Sequence, residues 1–334
     1  MDKLNLGLIG CGYWGKNHLR TLKNMGGVGL SYVCDCGTPS VKIPRDIKFT
    51  ENYKDILRDS KIEAVIIATP TSTHYSLAKD FLNAGKHVFV EKPLTTKVGE
   101  AEDLCRIANE KNAQLMVGEI FRFNPAIKFI KKEILGGEIG DLRYIESRRV
   151  GLGPIRHDVS ALWDLATHDI YISNLFVGGC PSSVSYNGFS HNKKLDDISC
   201  LNIKYNSQEV LTTIYVNWEH PIKERKLIVG GTKKAISFDD VEPSEKIRIY
   251  DRGVDYQPIS GDFGDFQATT RDGKITIPKI NITQPLEEEL KHFIDCIRGK
   301  AKCLCNGYEG LQTVRVLETA EESRNKKGLE ITIK

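Results

Sequence analysis

Short, nearly continuous apolar runs recur along the first 125 residues, separated by segments whose apolar positions recur at helical spacing. The runs are 4–9, 30–34, 64–68, 87–90 and 114–117. Strands buried on both faces of a parallel sheet have this pattern, whereas strands with one solvated face alternate apolar and polar positions. The pattern therefore predicts an N-terminal doubly wound parallel sheet, the Rossmann type of α/β domain.

The pattern changes near residue 140. One helix is predicted over 160–177, and short β-rich runs follow, including 199–204, 210–216, 225–229 and 246–250. These runs predict a C-terminal domain with a large, mostly antiparallel open β-sheet, an α+β arrangement. Residues 286–298 and 308–326 are predicted to be helical. An open sheet of this size has to cover one face, so we expect a homodimer or homotetramer.

Composition narrows the function classes. Hydrophobic residues make up 40% of the 334 residues and charged residues 27%, which is typical of a globular protein. No run approaches about 20 apolar residues, so no membrane span is expected, and no secretory leader is expected either. The net charge of +3 comes from basic residues spread among almost as many acids, so we expect no nucleic-acid partner.

The nine cysteines are an odd number in a chain without a predicted export signal. This favours reduced thiols and a cytoplasmic location. Two pairs, Cys34/Cys36 and Cys303/Cys305, are separated by one residue. Structural zinc sites usually pair cysteines two or more residues apart, so we predict no metal site.

A glycine-rich turn follows the first apolar run. Gly10, Gly12 and Gly15 form a GxGxxG pattern between a predicted strand and a predicted helix. In such a turn the first glycine permits the sharp bend, the second lets the backbone approach a pyrophosphate, and the third lets helix and strand pack closely. The helix N-terminus adds amide donors for the anion. We therefore predict a dinucleotide site.

The second strand ends at Asp35, the expected distance beyond the glycines for a carboxylate that binds the ribose hydroxyls of NAD. A carboxylate there disfavours the 2′-phosphate of NADP, and Cys36-Gly37-Thr38 supply no arginine to accept it. The predicted cofactor is therefore NAD rather than NADP.

Two further strand ends carry polar residues where ligands of a doubly wound sheet bind. Thr69, Pro70 and His74 belong to a stretch of small and hydroxylic residues, although His74 could simply pack at the start of the next helix. Lys92 ends a buried strand before Pro93, which suits a hydrogen-bond donor or proton relay beside a nicotinamide. The alternative for Lys92 is a lysine that reaches solvent.

The predicted helix of the second domain contains Asp164 and His168, four residues apart and so on one face. A carboxylate can orient an imidazole and raise its basicity, as general-base catalysis requires. Such a pair could also be an ordinary surface contact. Asp169 points to another face and is expected to be structural.

Together, the GCGYWG turn, ATPTSTH, EKPL and DLATHD resemble the glucose–fructose oxidoreductase / inositol dehydrogenase / MocA family, in the same order along the whole chain. The resemblance implies catalytic roles for Lys92, Asp164 and His168, and hydride transfer between a nicotinamide and a ring hydroxyl or ketone. It implies an NAD-binding domain (1–125), a substrate-binding and oligomerisation domain (126–285) and C-terminal helices and a strand (286–334) returning to the first domain. The predicted cofactor-binding residues are Gly10, Gly12, Tyr13, Trp14, Asp35, Thr69, Pro70, His74, Glu91 and Lys92.

Segments 218–223, 238–240 and 246–251 look like those of family members that act on nucleotide sugars, such as UDP-N-acetylglucosamine 3-dehydrogenases, in surface polysaccharide pathways. The predicted substrate-binding residues are Arg122, Asn124, Arg156 and Trp163, with Arg156 suited to a diphosphate but equally to a surface position. The chain could instead be an inositol or free-sugar dehydrogenase. A non-catalytic NAD-binding sensor or subunit is an alternative of another class.

Overall fold

A computed structural model of the chain describes residues 3–37, 39, 41–153, 155–156, 158–191, 194–258, 266–281 and 283–334. The chain forms two compact units. The first comprises 1–124 and 284–318, and the second comprises 125–283 and 319–334. Residues 319–334 thus belong to the second unit, contrary to the expectation that the whole C-terminal segment returns to the first domain.

The first unit contains a parallel sheet whose described strands follow the order β3-β2-β1-β4-β5-β6. All four side chains of the central strand β4 are fully buried, as the apolar run predicted. The doubly wound fold is confirmed. Its strands are β1 (Leu4–Ile9), β2 (Val28–Cys34), β3 (Lys48–Thr50), β4 (Ala64–Ile67), β5 (His87–Glu91) and β6 (Leu115–Gly118).

Helices connect these strands on both faces of the sheet. They are α1 (Gly15–Asn24), α2 (Tyr53–Arg58), α3 (His74–Asn83) and α4 (Val98–Glu110), with short 3-10 turns at Thr71–Thr73 and Ile120–Phe123. The described residues between β2 and β3 contain no helix, consistent with their proline-rich sequence.

The second unit contains a larger sheet, whose described strands follow the order β14-β13-β12-β11-β7-β10-β9-β8-β15. All neighbouring pairs are antiparallel except β7 and β10, so the predicted mostly antiparallel sheet is confirmed. Its strands are β7 (Leu142–Val150), β8 (Ser183–Phe189), β9 (Ile198–Tyr205), β10 (Val210–Asn217), β11 (Glu224–Gly231), β12 (Ala235–Asp239), β13 (Ile247–Pro258), β14 (Phe266–Thr276) and β15 (Ile331–Thr332).

Alternate side chains of the central strands are buried, so one face of the second sheet forms a core. The helices of this unit are α5 (Pro125–Leu135) and α6 (Thr167–Val177). A π-helical turn, Leu162–Ala166, leads directly into α6, so the helix predicted over 160–177 begins with a wider turn.

Two helices complete the chain, α7 (Pro285–Ile297) and α8 (Gly307–Asn325). They agree closely with the helices predicted over 286–298 and 308–326. The final strand β15 pairs with β8 of the second sheet. Within the described residues, no helix combines the length and the apolar character that a membrane crossing requires.

Candidate active site

The glycine-rich turn has the geometry of a phosphate cradle. Gly10 has a φ of +87°, and a Cβ there would clash with the carbonyl oxygen of Ala68. A Cβ on Gly15 would clash with the carbonyl oxygen of Gly10, so the start of α1 lies against the end of β1. A Cβ on Gly12 would meet nothing within 4 Å. Two glycines are therefore required for packing, while Gly12 leaves open space for a ligand.

Asp35 lies beside this turn. Its Oδ2 accepts a hydrogen bond from the backbone N–H of Cys11 at 2.6 Å, which fixes the carboxylate at the end of β2. Tyr13 is 74% exposed and Trp14 is half-buried. Open space above Gly12, amides at the helix N-terminus and a fixed carboxylate form the donor and acceptor set that a dinucleotide requires. The described residues therefore fit NAD.

His74 connects the loops that follow β4 and β5. Its Nδ1 lies 2.8 Å from the carbonyl oxygen of Pro93, and its Nε2 lies 3.0 Å from that of Thr69. The ring is 1% exposed. A neutral imidazole can donate to only one of these carbonyls, and an imidazolium can donate to both. This placement favours a positioning role for His74. Of the other two residues predicted in this stretch, Thr69 is half-buried and Pro70 is exposed.

Glu91 and Lys92 lie at the end of β5. The Oε1 of Glu91 is 2.7 Å from Nε2 of His18, a fully buried residue of α1. Lys92 is half-buried, and its positive charge lowers the pKa of the neighbouring Glu119 carboxyl, in opposition to the larger effect of burial. The lysine thus lies beside buried carboxyl groups instead of extending freely into water.

Sequence reasoning missed two carboxyl groups of this cluster, Glu119 and Glu289, each 1% exposed. Burial raises the pKa of both well above the ordinary value, and the charge of Glu91 raises them further. Glu119 follows directly after the apolar run of β6, and this position at a strand end could have identified it as a candidate site residue. Glu289 lies on α7, whose position only the fold reveals.

The raised pKa of Glu119 leads to a prediction about stability. The folded state holds this proton at pH values where the unfolded state has lost it, so stability decreases as pH rises through the folded pKa. We expect Glu119→Gln to become increasingly stable relative to wild type as pH rises above 4.5, the ordinary pKa of a glutamate, by about 1.4 kcal/mol per pH unit until the folded pKa is reached. Urea unfolding at several pH values measures the difference. Glu51→Gln, at an exposed position, is the control and should show no such trend. A flat profile for Glu119→Gln would contradict the prediction.

In the second unit, the π-helical turn positions Asp164 and His168. Both are half-buried, whereas most of their neighbours between Ala161 and Ile170 are buried. Asp164 accepts hydrogen bonds from Nη1 of Arg156 and Nε1 of Trp218, each at 3.4 Å. Extra residues in a helical turn occur frequently at functional sites. The turn therefore leaves two chemically useful side chains accessible in a buried segment.

Asp169 behaves as expected of a structural residue. Its carboxylate receives two hydrogen bonds from Arg149, both at 2.8 Å, and both residues are buried. This bidentate ion pair connects α6 to β7.

The four predicted substrate-binding residues differ in their surroundings. The guanidinium of Arg156 pairs with Asp158 at 2.8–2.9 Å as well as with Asp164. Trp163 is 8% exposed, and its Nε1 donates to Glu321 at 3.1 Å, which favours a structural role. Arg122 and Asn124 are half-buried after β6. Pro154 and His157, from the loop predicted to line the cleft, lie outside the described residues.

The chain is similar to known dehydrogenases in sequence and in fold. The chain is 28% identical over 269 residues to the UDP-N-acetylglucosamine 3-dehydrogenase of Acidithiobacillus ferrooxidans, covering 79% of each chain. It is 24% identical to the inositol 2-dehydrogenase of Rhizobium meliloti, covering 96% of each chain. A dehydrogenase from Bordetella pertussis, solved with NADH and UDP-GlcNAcA, has the same fold, with a TM-score of 0.80, 19% identity, and coverage of 100% of this chain and 98% of the other.

Family models match both parts of the chain. Residues 4–119 match the oxidoreductase family's NAD-binding Rossmann fold, and residues 131–333 match its C-terminal alpha/beta domain. Gly12 and Asp35, the candidate cofactor-binding residues, lie within the first matched segment. The chain therefore belongs to the glucose–fructose oxidoreductase / inositol dehydrogenase / MocA family and is an NAD(P)-dependent oxidoreductase that acts on alcohol groups.

Proposed function

We propose that this oxidoreductase acts on a secondary alcohol or ketone of the sugar ring of a nucleotide sugar, in the synthesis of surface polysaccharides. The observation that carries the proposal is the pair Asp164 and His168, two accessible polar side chains in an otherwise mostly buried helical segment. Retention of this pair and of Lys92 argues against the alternative of a non-catalytic sensor or subunit.

The proton chemistry is assigned to three side chains. His168 removes the proton of the reacting hydroxyl, and Asp164 orients the imidazole and stabilises its charged form. Lys92 donates a hydrogen bond to the developing alkoxide. NAD, when bound, supplies the hydride-accepting ring. Gly10, Gly12 and Asp35 hold the dinucleotide, and Nη1 of Arg156, 3.4 Å from Oδ1 of Asp164, helps to hold that carboxylate in place.

A nucleotide sugar is favoured over an inositol or a free sugar by two supporting observations. The relative from Acidithiobacillus is named for UDP-N-acetylglucosamine. In addition, the guanidinium of Arg156 lies 3.4 Å from Asp164. A guanidinium forms charge-assisted, bidentate hydrogen bonds with a diphosphate, whereas a cyclitol offers it only neutral hydroxyl groups. The inositol dehydrogenases among the relatives are the basis of the second candidate function.

The substrate is tested by incubating the protein with NAD and a panel of UDP-sugars, dTDP-sugars and cyclitols, with product analysis by mass spectrometry. We expect oxidation of a UDP-sugar at one ring position. Turnover of cyclitols alone would replace the proposal with the second candidate. NAD binding without turnover of any panel member would favour the non-catalytic alternative.

Cofactor preference is tested at Asp35. We expect tighter binding of NADH than of NADPH, because the carboxylate repels a 2′-phosphate. Asp35→Asn keeps an oxygen that can accept the Cys11 N–H but removes the charge. The variant should lower the NADH/NADPH affinity ratio by at least about tenfold, or about 1.4 kcal/mol. Fluorescence titration of both reduced cofactors measures the ratio. Tighter NADPH binding by the wild type would contradict the prediction.

Self-association through the second sheet and a cytoplasmic location remain part of the proposal. Tyr144, Leu211 and Ile275 are at least 43% exposed on strands of this sheet, which supports a covered face. The odd number of cysteines, nine, supports a reducing compartment. Light scattering should give at least twice the chain mass of 37.5 kDa.

A further inference from the structure

The first unit contains a cluster of thiol and imidazole groups outside the residues assigned to catalysis. His292 and Cys296 lie one turn apart on α7, and Cys303 lies on the loop that follows this helix. Their Nε2 or Nδ1 and Sγ atoms all lie within 4.8 Å of one another. The spacing of Cys303 and Cys305 gave no indication of this cluster, because the partners of Cys303 come from the preceding helix.

The separation of His292 and Cys296 matches that of two ligands of one tetrahedral metal ion. Sγ of Cys296 is 3.4 Å from Nε2 of His292. Zinc–sulfur bonds of about 2.3 Å and zinc–nitrogen bonds of about 2.0–2.1 Å place these two ligand atoms roughly 3.6 Å apart. Only a small movement would therefore bring both atoms to bonding distance from one ion. Two thiolates and one imidazole, with water in the fourth position, form a known ligand set for zinc.

The hydrogen bonding of His292 also suits a metal ligand. Nε2 of His292 accepts a hydrogen bond from the backbone N–H of Leu304 at 3.0 Å, so this nitrogen carries the lone pair that a metal ligand needs. Metal binding would break this hydrogen bond, because the ion would take the same lone pair.

The surrounding structure holds the three groups in place. The ring of Phe123 packs against that of His292, with centroids 5.4 Å apart. The carbonyl oxygen of Cys305 accepts a hydrogen bond from Val117 of β6 at 2.8 Å, so the loop after Cys303 is fixed to the sheet. Preorganised ligands lose less entropy on binding an ion.

We propose that His292, Cys296 and Cys303 form a binding site for a thiophilic divalent cation, with Zn²⁺ as the expected ion. A bound metal ion would connect α7 to the loop that precedes α8. This loop in turn pairs with β6. The strand β6 leads directly into Glu119, Arg122 and Asn124, so the ion would stabilise the base of this segment. The site is independent of the proposed hydride transfer.

Co²⁺ is the probe, because its absorption reports both geometry and thiolate ligands. The full-length protein is kept reduced, stripped with a chelator and titrated with Co²⁺. We expect one equivalent to bind, with visible tetrahedral bands and a near-ultraviolet thiolate charge-transfer band, both lost on addition of Zn²⁺. Zn²⁺ should also raise the unfolding temperature of the stripped protein.

Variants assign the bands to the cluster. Cys303→Ser, at a half-buried loop position, should lose the charge-transfer band and the Zn²⁺-dependent rise in unfolding temperature, with an unchanged circular dichroism spectrum. Cys180→Ser, at an exposed position distant in sequence, is the matched control and should keep both. His292→Asn supplies a second test that leaves both thiols intact, and it should weaken Co²⁺ binding.

Three outcomes would overturn the proposal. Co²⁺ could bind without a charge-transfer band, which would indicate an oxygen and nitrogen site such as the group of His191, Asp197 and Glu219. The band could persist in Cys303→Ser. Finally, the reduced protein could fail to bind Co²⁺ while Cys296 and Cys303 form a disulfide in air, which would assign the pair to redox chemistry.

Discussion

Replacement of His168 by alanine is expected to lower the turnover number by about 10²–10⁴, the usual contribution of a general base. The affinity for NADH should remain nearly unchanged, because His168 belongs to the second unit while the dinucleotide-binding turn belongs to the first. Steady-state kinetics with the sugar identified by the substrate panel, and fluorescence titration of NADH, measure the two effects separately.

His191→Ala is a suitable control for this prediction. His191 is a more exposed histidine of the same unit that pairs with Asp197 at 3.0 Å, and its removal should leave turnover close to that of wild type. Lys92→Ala and Asp164→Asn should also lower turnover. The three losses should not add, since the three side chains are proposed to take part in the same proton transfer. Undiminished turnover by His168→Ala would exclude His168 as the base.

Gly15→Ala and Gly12→Ala are expected to have different effects: the first should lower stability, and the second should weaken NADH binding. The new Cβ at position 15 would overlap the carbonyl oxygen of Gly10, and backbone atoms cannot rotate away from it. We expect a loss of about 1–3 kcal/mol or more in the free energy of unfolding. At position 12 the methyl group enters open space, so stability should change by no more than about 0.5 kcal/mol.

Cofactor binding should separate the two variants further. Gly12→Ala should fold normally but bind NADH far more weakly, because its methyl group occupies the space that the pyrophosphate approaches. Urea unfolding and fluorescence titration on the same samples measure stability and affinity together. Wild-type NADH affinity in Gly12→Ala would show that the dinucleotide does not approach this turn.

The sequence by itself determined the parts of the molecule that depend on local rules. The apolar runs predicted the parallel strands because a strand buried on both faces needs apolar side chains at every position. Glycines at positions 10 and 15 predicted the strand–turn–helix junction, since a positive φ and a close backbone approach exclude a Cβ. Asp35 could be predicted as a ribose-binding residue because its distance from the turn is set by the length of one helix and one strand.

Only the tertiary structure decided which distant groups meet. Asp164 contacts Trp218, 54 positions away, and Arg324 pairs with Asp196, 128 positions away. The burial of Glu119 and Glu289, the carbonyl partners of His74 and the grouping of Cys303 with His292 likewise depend on how separate elements pack. The pairing of β15 with β8 also belongs here, because the two residues of that strand carry no pattern that specifies a partner. Periodicity and spacing show which side chains of one helix or strand share a face. They do not show which other element that face packs against, and these contacts depend on that packing.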